Sequence, residues 1–127
     1  MAQGDVELVE RMLGHFHRGE AEQALECFTP DVEVDLRRRV DAGSGRGREE
    51  LNRLIGEWTA TFAGWREQID EIRDLGGRVL VEATQRGRGR GSGVELETRY
   101  AAVYHVRDGA IWRMTLYPDA AEARDLD

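Results

Sequence analysis

The chain contains no lysine; all 18 of its basic side chains are arginine. Arginine's planar fork suits phosphate and carboxylate recognition. A bias that empties every surface position of lysine nevertheless reflects coding in a GC-rich genome better than it reflects one binding function. Positive charge is also outnumbered. Asp and Glu total 25 and the formal net charge is −7, which speaks against nucleic acid or an anionic membrane as the main partner, because both reward a basic face. Cysteine is nearly absent: Cys27 stands alone, so no intramolecular disulfide can form and a reducing, cytoplasmic setting is expected. Long apolar runs are missing too. Nothing approaches membrane-spanning length, and residues 1–5 lead into an amphipathic segment without the basic start and apolar stretch of a secretory signal.

What remains is an ordinary globular composition, 40% hydrophobic and 34% charged over 127 residues, which predicts a single domain spanning residues 1–127. From Asp5 to Arg18, Val6, Val9, Leu13 and Phe16 recur at helical spacing, with Leu8 and Met12 widening the stripe. Asp5 fits an N-cap and Gly19 a stop. Ala21 to Phe28 reads as a second short helix, ended by Thr29 and Pro30. Asp31 to Arg37 alternates, with Val32, Val34 and Leu36 on one side and Glu33, Asp35 and Arg37 on the other, as a strand requires. Arg38 to Gly47 reads as a loop. Arg48 to Ala63 returns to helical period through Leu51, Leu54, Ile55, Trp58 and Phe62.

The second half changes in kind. Trp65 to Leu75, Arg78 to Arg86, Val94 to Arg107 and Ala110 to Tyr117 each read as strands. Gly76-Gly77 and Asp108-Gly109 are hairpin signals, because their residues tolerate positive φ. The intervening Arg86 to Gly93 segment, in which arginine alternates with glycine, carries no aromatic for base stacking and reads as a flexible hairpin loop, with glycines for the turn and arginines for solubility; gating of a pocket mouth or contact with an anionic ligand stays open. Asp119 to Arg124 is expected to form a terminal helical turn. Helices followed by a long-stranded meander belong to the segregated α+β class, where the sheet buries one face against the helices.

The order of these elements resembles the nuclear-transport-factor-2-like superfamily, and within it the SnoaL-like proteins, over essentially the whole length. Local marks of the resemblance are Gly19-Glu20, Phe28-Thr29-Pro30-Asp31 leading into Val32-Glu33-Val34-Asp35, Gly47 ahead of the helix with Leu51, and Gly91-Ser92-Gly93 before a long strand. Val106-Arg107-Asp108-Gly109-Ala110-Ile111 and Tyr117-Pro118-Asp119 complete them. The resemblance implies a cone-shaped, curved antiparallel sheet wrapped around N-terminal helices, the cystatin-like α+β roll. It implies a homodimer, no cofactor, and a hydrophobic small molecule in the interior. Similar ketosteroid isomerases carry a proton-shuttling aspartate where this chain has Asp35, a carboxylate that partial desolvation would make a better base; the structural alternative pairs Asp35 with one of Arg37, Arg38 and Arg39, which follow at once. Those enzymes also use a tyrosine and a protonated aspartate to stabilise an enolate; here the corresponding positions are Met12 and, near the second, Ala102.

Strand alternation places either Tyr100, Ala102 and Tyr104 or their neighbours toward an interior, and the tyrosine set is the expected one. Trp112, Met114 and Leu116 form the corresponding apolar face of the last strand. Met12 and Phe16 on the first helix, with Trp58 and Phe62 on the long helix, would close the chamber. Val103, Ile111 and Tyr117 are expected on the opposite face, covered by a second copy of the chain. His15 and His17 stand two apart on a helix and diverge, so no metal site is expected. Three functions stay open: an isomerase or cyclase using Asp35 as general base on a hydrophobic carbonyl compound, a non-catalytic ligand-binding protein, and a dimerisation domain with a filled interior.

Overall fold

The computed structural model describes residues 2–36, 44–60 and 62–126. The first helix, α1 (Ala2–His17), is followed by the short α2 (Ala21–Leu25) and the strand β1 (Phe28–Asp35). A brief strand β2 (Ser44–Arg46) and the helix α3 (Arg48–Ala60) come next. The long strands β3 (Phe62–Asp74), β4 (Arg78–Gly89) and β5 (Glu95–Arg107), then β6 (Ala110–Tyr117) and the terminal helix α4 (Ala120–Leu126), complete the chain. The six strands form one curved sheet in the order β2-β1-β6-β5-β4-β3. Every pairing is antiparallel except β1 with β6, which is parallel, so the expected antiparallel sheet is in fact mixed.

Helix α1 is held to the sheet by its apolar stripe. Leu8, Val9, Met12 and Leu13 are buried in the main core with Val32, Val34 and Leu36 of β1, Leu51 and Leu54 of α3, and Val79, Val81 and Ala83 of β4. Each such side chain contributes about 1.5–3 kcal/mol by leaving water. Asp5 lies inside the first turn rather than at an N-cap, where its charge still favours the helix dipole. A second, smaller core lies on the opposite face of the sheet. There Leu80, Ala101, Val103 and Tyr117 are buried with Ala123 of α4. Val103 and Tyr117 are therefore covered by the chain's own terminal helix, and Ile111 lies in the main core rather than on this face.

Element boundaries depart from expectation in instructive ways. Phe28, Thr29 and Pro30 belong to β1, not to the end of α2, because Phe28 pairs with Ile111 of β6 and its ring packs at 6.5 Å from Phe16. Pro30 is tolerated in β1 because the ladder to β6 is interrupted between Phe28 and Glu33. Part of the expected loop before α3 pairs with β1 as β2. Helix α3 stops at Ala60, and Phe62 opens β3 opposite Gly89. The first half of the arginine-glycine segment is strand: β4 runs on to Gly89, with Arg86 opposite Glu97, and the turn begins just beyond it. The Asp108-Gly109 hairpin forms as expected, both residues at positive φ (53° and 76°).

Candidate functional site

Strands β3, β4 and β5 carry the polar groups of the helix-covered face. Their register sets Glu67, Gln85 and Thr98 in one cross-strand row, with Ile69, Ala83 and Tyr100 in the next. The Glu67 side chain is only 5% exposed, and a buried carboxylate needs partners. It has two. Tyr100 donates its hydroxyl to Oε2, and His17, at the end of α1, places Nε2 2.9 Å from Oε1. Because an ionised carboxylate only accepts, Nε2 is the protonated ring nitrogen in that state. Trp58 of α3 meets Tyr100 edge-on, with ring centroids 5.1 Å apart. Tyr104 is buried nearby, and burial first, then the negative charge of Glu67, push its hydroxyl pKa far above the ordinary tyrosine value. One strand over, the Trp65 indole donates to Gln85 Oε1 at 3.0 Å.

The structure brings six of the expected chamber residues together. Met12, Tyr100, Tyr104 and Met114 are buried in the main core, and Phe16 and Trp58 pack against it. The side chain of Phe62 lies outside the described residues, as do Arg37, Arg38 and Arg39. Trp112 is elsewhere. The β5–β6 register slips by one residue between His105 and Val106, so Ile111 faces Val106 while Arg113 faces His105, and Trp112 is the extra residue. This bulge turns Trp112 away from Met114 and onto the opposite face, where it meets His105 edge-on at 5.3 Å and carries the Arg107 guanidinium 4.8 Å above its ring.

Asp35 also sits on that opposite face. Val32, Val34 and Leu36 enter the core, and Asp35, out of phase with them, pairs in register with Thr115 rather than Met114. It lines an open depression of about 350 Å³ with Glu33, Val34, Ser44, Gly45, Arg46 and Arg113. Glu33 lies 3.7 Å from Arg46 and 3.5 Å from Arg113, so this rim is a charge-paired surface. The sheet therefore separates Asp35 from the tyrosine set.

Glu67, Gln85 and Trp65 were absent from the expected site although their strands were recognised. Their signal is a polar residue in phase with apolar ones: Trp65, Glu67 and Ile69 alternate, as do Val79, Val81, Ala83 and Gln85. His17 gave no such signal, because its partner lies 50 residues away. His15 instead meets Glu20 at 2.8 Å, so the two histidines do diverge. No group of three or more His, Cys, Asp or Glu side chains suited to a metal ion occurs among the described residues. Nor is any described helix long and apolar enough to cross a membrane.

The SnoaL-like domain model matches residues 9–114, which takes in every residue of this polar cluster. The chain belongs to the SnoaL-like family. An uncharacterized protein of Mycobacterium tuberculosis is 31% identical over 121 residues, covering 92% of this chain and 91% of that one. Among solved structures, an NTF2-like protein of unknown function from Burkholderia pseudomallei superposes with a TM-score of 0.79 at 22% identity, covering 97% of this chain and 96% of the other. TerC, co-crystallized with polyporic acid, superposes with a TM-score of 0.77 at 20% identity, covering 97% of each chain. The shared frame is the sheet with its N-terminal helices. The SnoaL-like fold is of the small-molecule isomerase and cyclase type, and in this member its helix-covered face carries a buried carboxylate.

Proposed function

We propose that this SnoaL-like protein takes a hydrophobic carbonyl compound on the helix-covered face and moves a proton on it, as an isomerase or cyclase does, with Glu67 as the acid–base group. The observation that carries this reading is the Glu67 carboxylate, almost wholly buried and hydrogen-bonded by Tyr100 and His17. In the step, the Glu67 carboxylate takes a proton from the carbon beside the ligand's carbonyl. The C–H electron pair passes into the enolate, and the same carboxylic acid returns the proton to carbon. Tyr104, kept protonated by burial, would remain a neutral neighbour throughout. Met12, Phe16, Trp58, Tyr100 and Met114 would form the apolar surround.

Asp35 as general base is the competing assignment, and one experiment separates the two. Hydrogen–deuterium exchange at the carbon beside the carbonyl of 1-tetralone, followed by NMR in deuterated buffer, is expected to be accelerated by the wild type. Glu67→Gln should abolish that acceleration and Asp35→Asn leave it. The reverse pattern returns the role to Asp35. Binding of the ketone without any acceleration supports the second reading, a non-catalytic binding protein, for which the absence of a tyrosine at Met12 and of an aspartate at Ala102 argues. The homodimer expected from the resemblance would use the part of the opposite face that α4 leaves open, around Trp112 and Arg107; light scattering of the wild type and Trp112→Glu tests it.

A further inference from the structure

The Gln85 side chain is 1% exposed, and its Nε2 has no hydrogen-bond partner among the described residues. The orientation of the amide is not arbitrary. An indole nitrogen can only donate, so the contact with Trp65 fixes the Gln85 oxygen toward Trp65 and leaves the NH₂ group as the open end. The two residues opposite Gln85 in register do not close it. Glu67, on β3, has its oxygens engaged by Tyr100 and His17, and Thr98, on β5, makes no hydrogen bond to the amide nitrogen. A buried donor left unmade is costly, and native interiors rarely keep one without a partner. Val79, Val81 and Ala83 precede it on the same face, so an apolar side chain would fit the pattern of the strand.

We propose that Gln85 Nε2 is the donor that receives the carbonyl oxygen of the ligand, with Trp65 as the residue that positions it. This rests on the reading of the helix-covered face as a ligand site, and it makes Gln85 the determinant of selectivity for an oxygen acceptor. The row Glu67, Gln85, Thr98 then places a proton acceptor and an oxygen-binding donor on adjacent strands. A carbonyl compound presents those two needs on neighbouring atoms. A site built to hydrogen-bond an oxygen discriminates strongly against the analogue that lacks it, because the amide is again left bare.

The test uses 1-tetralone and its oxygen-free counterpart tetralin, titrated separately into isotopically labelled wild type, Gln85→Leu and Trp65→Phe and followed by NMR. In the wild type, 1-tetralone should move the Gln85 side-chain amide resonances and tetralin should not. Gln85→Leu should weaken 1-tetralone by about 10-fold or more while leaving tetralin within about twofold, the size of one lost hydrogen bond. Trp65→Phe frees the amide to rotate and should reduce the preference for the ketone without abolishing tetralin binding. Should Gln85→Leu fail to fold, the wild-type amide shift and Trp65→Phe still decide. The assignment to Gln85 is overturned, with the ligand site itself intact, if 1-tetralone shifts Trp58 and Tyr100 yet leaves the Gln85 amide unmoved or binds Gln85→Leu as tightly. If neither compound perturbs Trp58, Tyr100 or Gln85, the ligand-site reading falls and this inference falls with it.

Discussion

The hydroxyl of Tyr100 donates to the carboxylate of Glu67 from two strands away, across the whole width of β4. The residue between them is Ala83, opposite Tyr100 in register, and its single methyl leaves the ring room to lie over β4. Tyr100→Phe keeps the ring and removes the donor, leaving the buried Glu67 carboxylate bonded to His17. Unfolding free energy should fall by about 1–3 kcal/mol, measured by urea denaturation. Ala83→Leu should have a similar or larger effect by pushing the ring aside.

Tyr104 offers a pH-dependent check of the same neighbourhood. Burial and the Glu67 charge both raise its folded pKa above the unfolded value. Its contribution to stability is therefore fully present below the unfolded value of about 10 and is lost as pH rises beyond it. Spectrophotometric titration of the wild type should show the Tyr104 phenolate appearing only with unfolding. Tyr104→Phe should lower the amplitude of the absorbance change that accompanies unfolding by one tyrosine's worth, since the chain has three tyrosines and all are buried.

The β6 bulge predicts opposite sensitivities at adjacent positions. Ile111→Ala removes a side chain that is wholly buried in the main core and should cost about 2–5 kcal/mol. Trp112→Ala removes the larger residue but loses chiefly its contacts with His105 and Arg107, about 0.5–1.5 kcal/mol. Thermal melts of the two variants rank them. A costlier Trp112→Ala would place the indole in the core and contradict the slipped register.

On the opposite face, Glu71 and Glu82 oppose each other across β3 and β4. A hydrogen bond with Glu71, then burial, raises the Glu82 pKa, whereas Arg73 first and Glu82 second hold Glu71 low. Of the two, Glu82 is the one that keeps its proton to higher pH. Its stabilising contribution is complete below the ordinary carboxylate value and disappears as pH rises through its raised folded pKa. Glu82→Gln, which keeps a donor toward Glu71, should be more stable than the wild type at about pH 7, and this advantage should vanish near pH 4, as read from denaturation midpoints.

How much of this was legible in the chain can be judged at particular residues. The alternation Val32, Val34, Leu36 against Glu33, Asp35 was readable and held, because two neighbours in an extended backbone must point to opposite sides. The helical stripe of Met12 and Phe16, the tyrosine phase of β5 and the Asp108-Gly109 turn were readable for the same local reason. Trp112 was not, since a bulge inverts the alternation through cross-strand pairing and leaves no mark in its own strand. His17 was missed because its meeting with Glu67 spans 50 residues, whereas Glu67 was legible as a polar residue in phase with Trp65 and Ile69.

By itself, then, the sequence determined the periodicities, the turns, the sign of the charge and the family pattern, all consequences of backbone geometry and composition over a few neighbouring positions. Only the tertiary structure decided which side of each strand the helices cover. That choice put Asp35 on one face of the sheet and Glu67, Tyr100 and Gln85 on the other, because strand alternation divides residues into two sets while packing against α1 and α3 decides which set is buried.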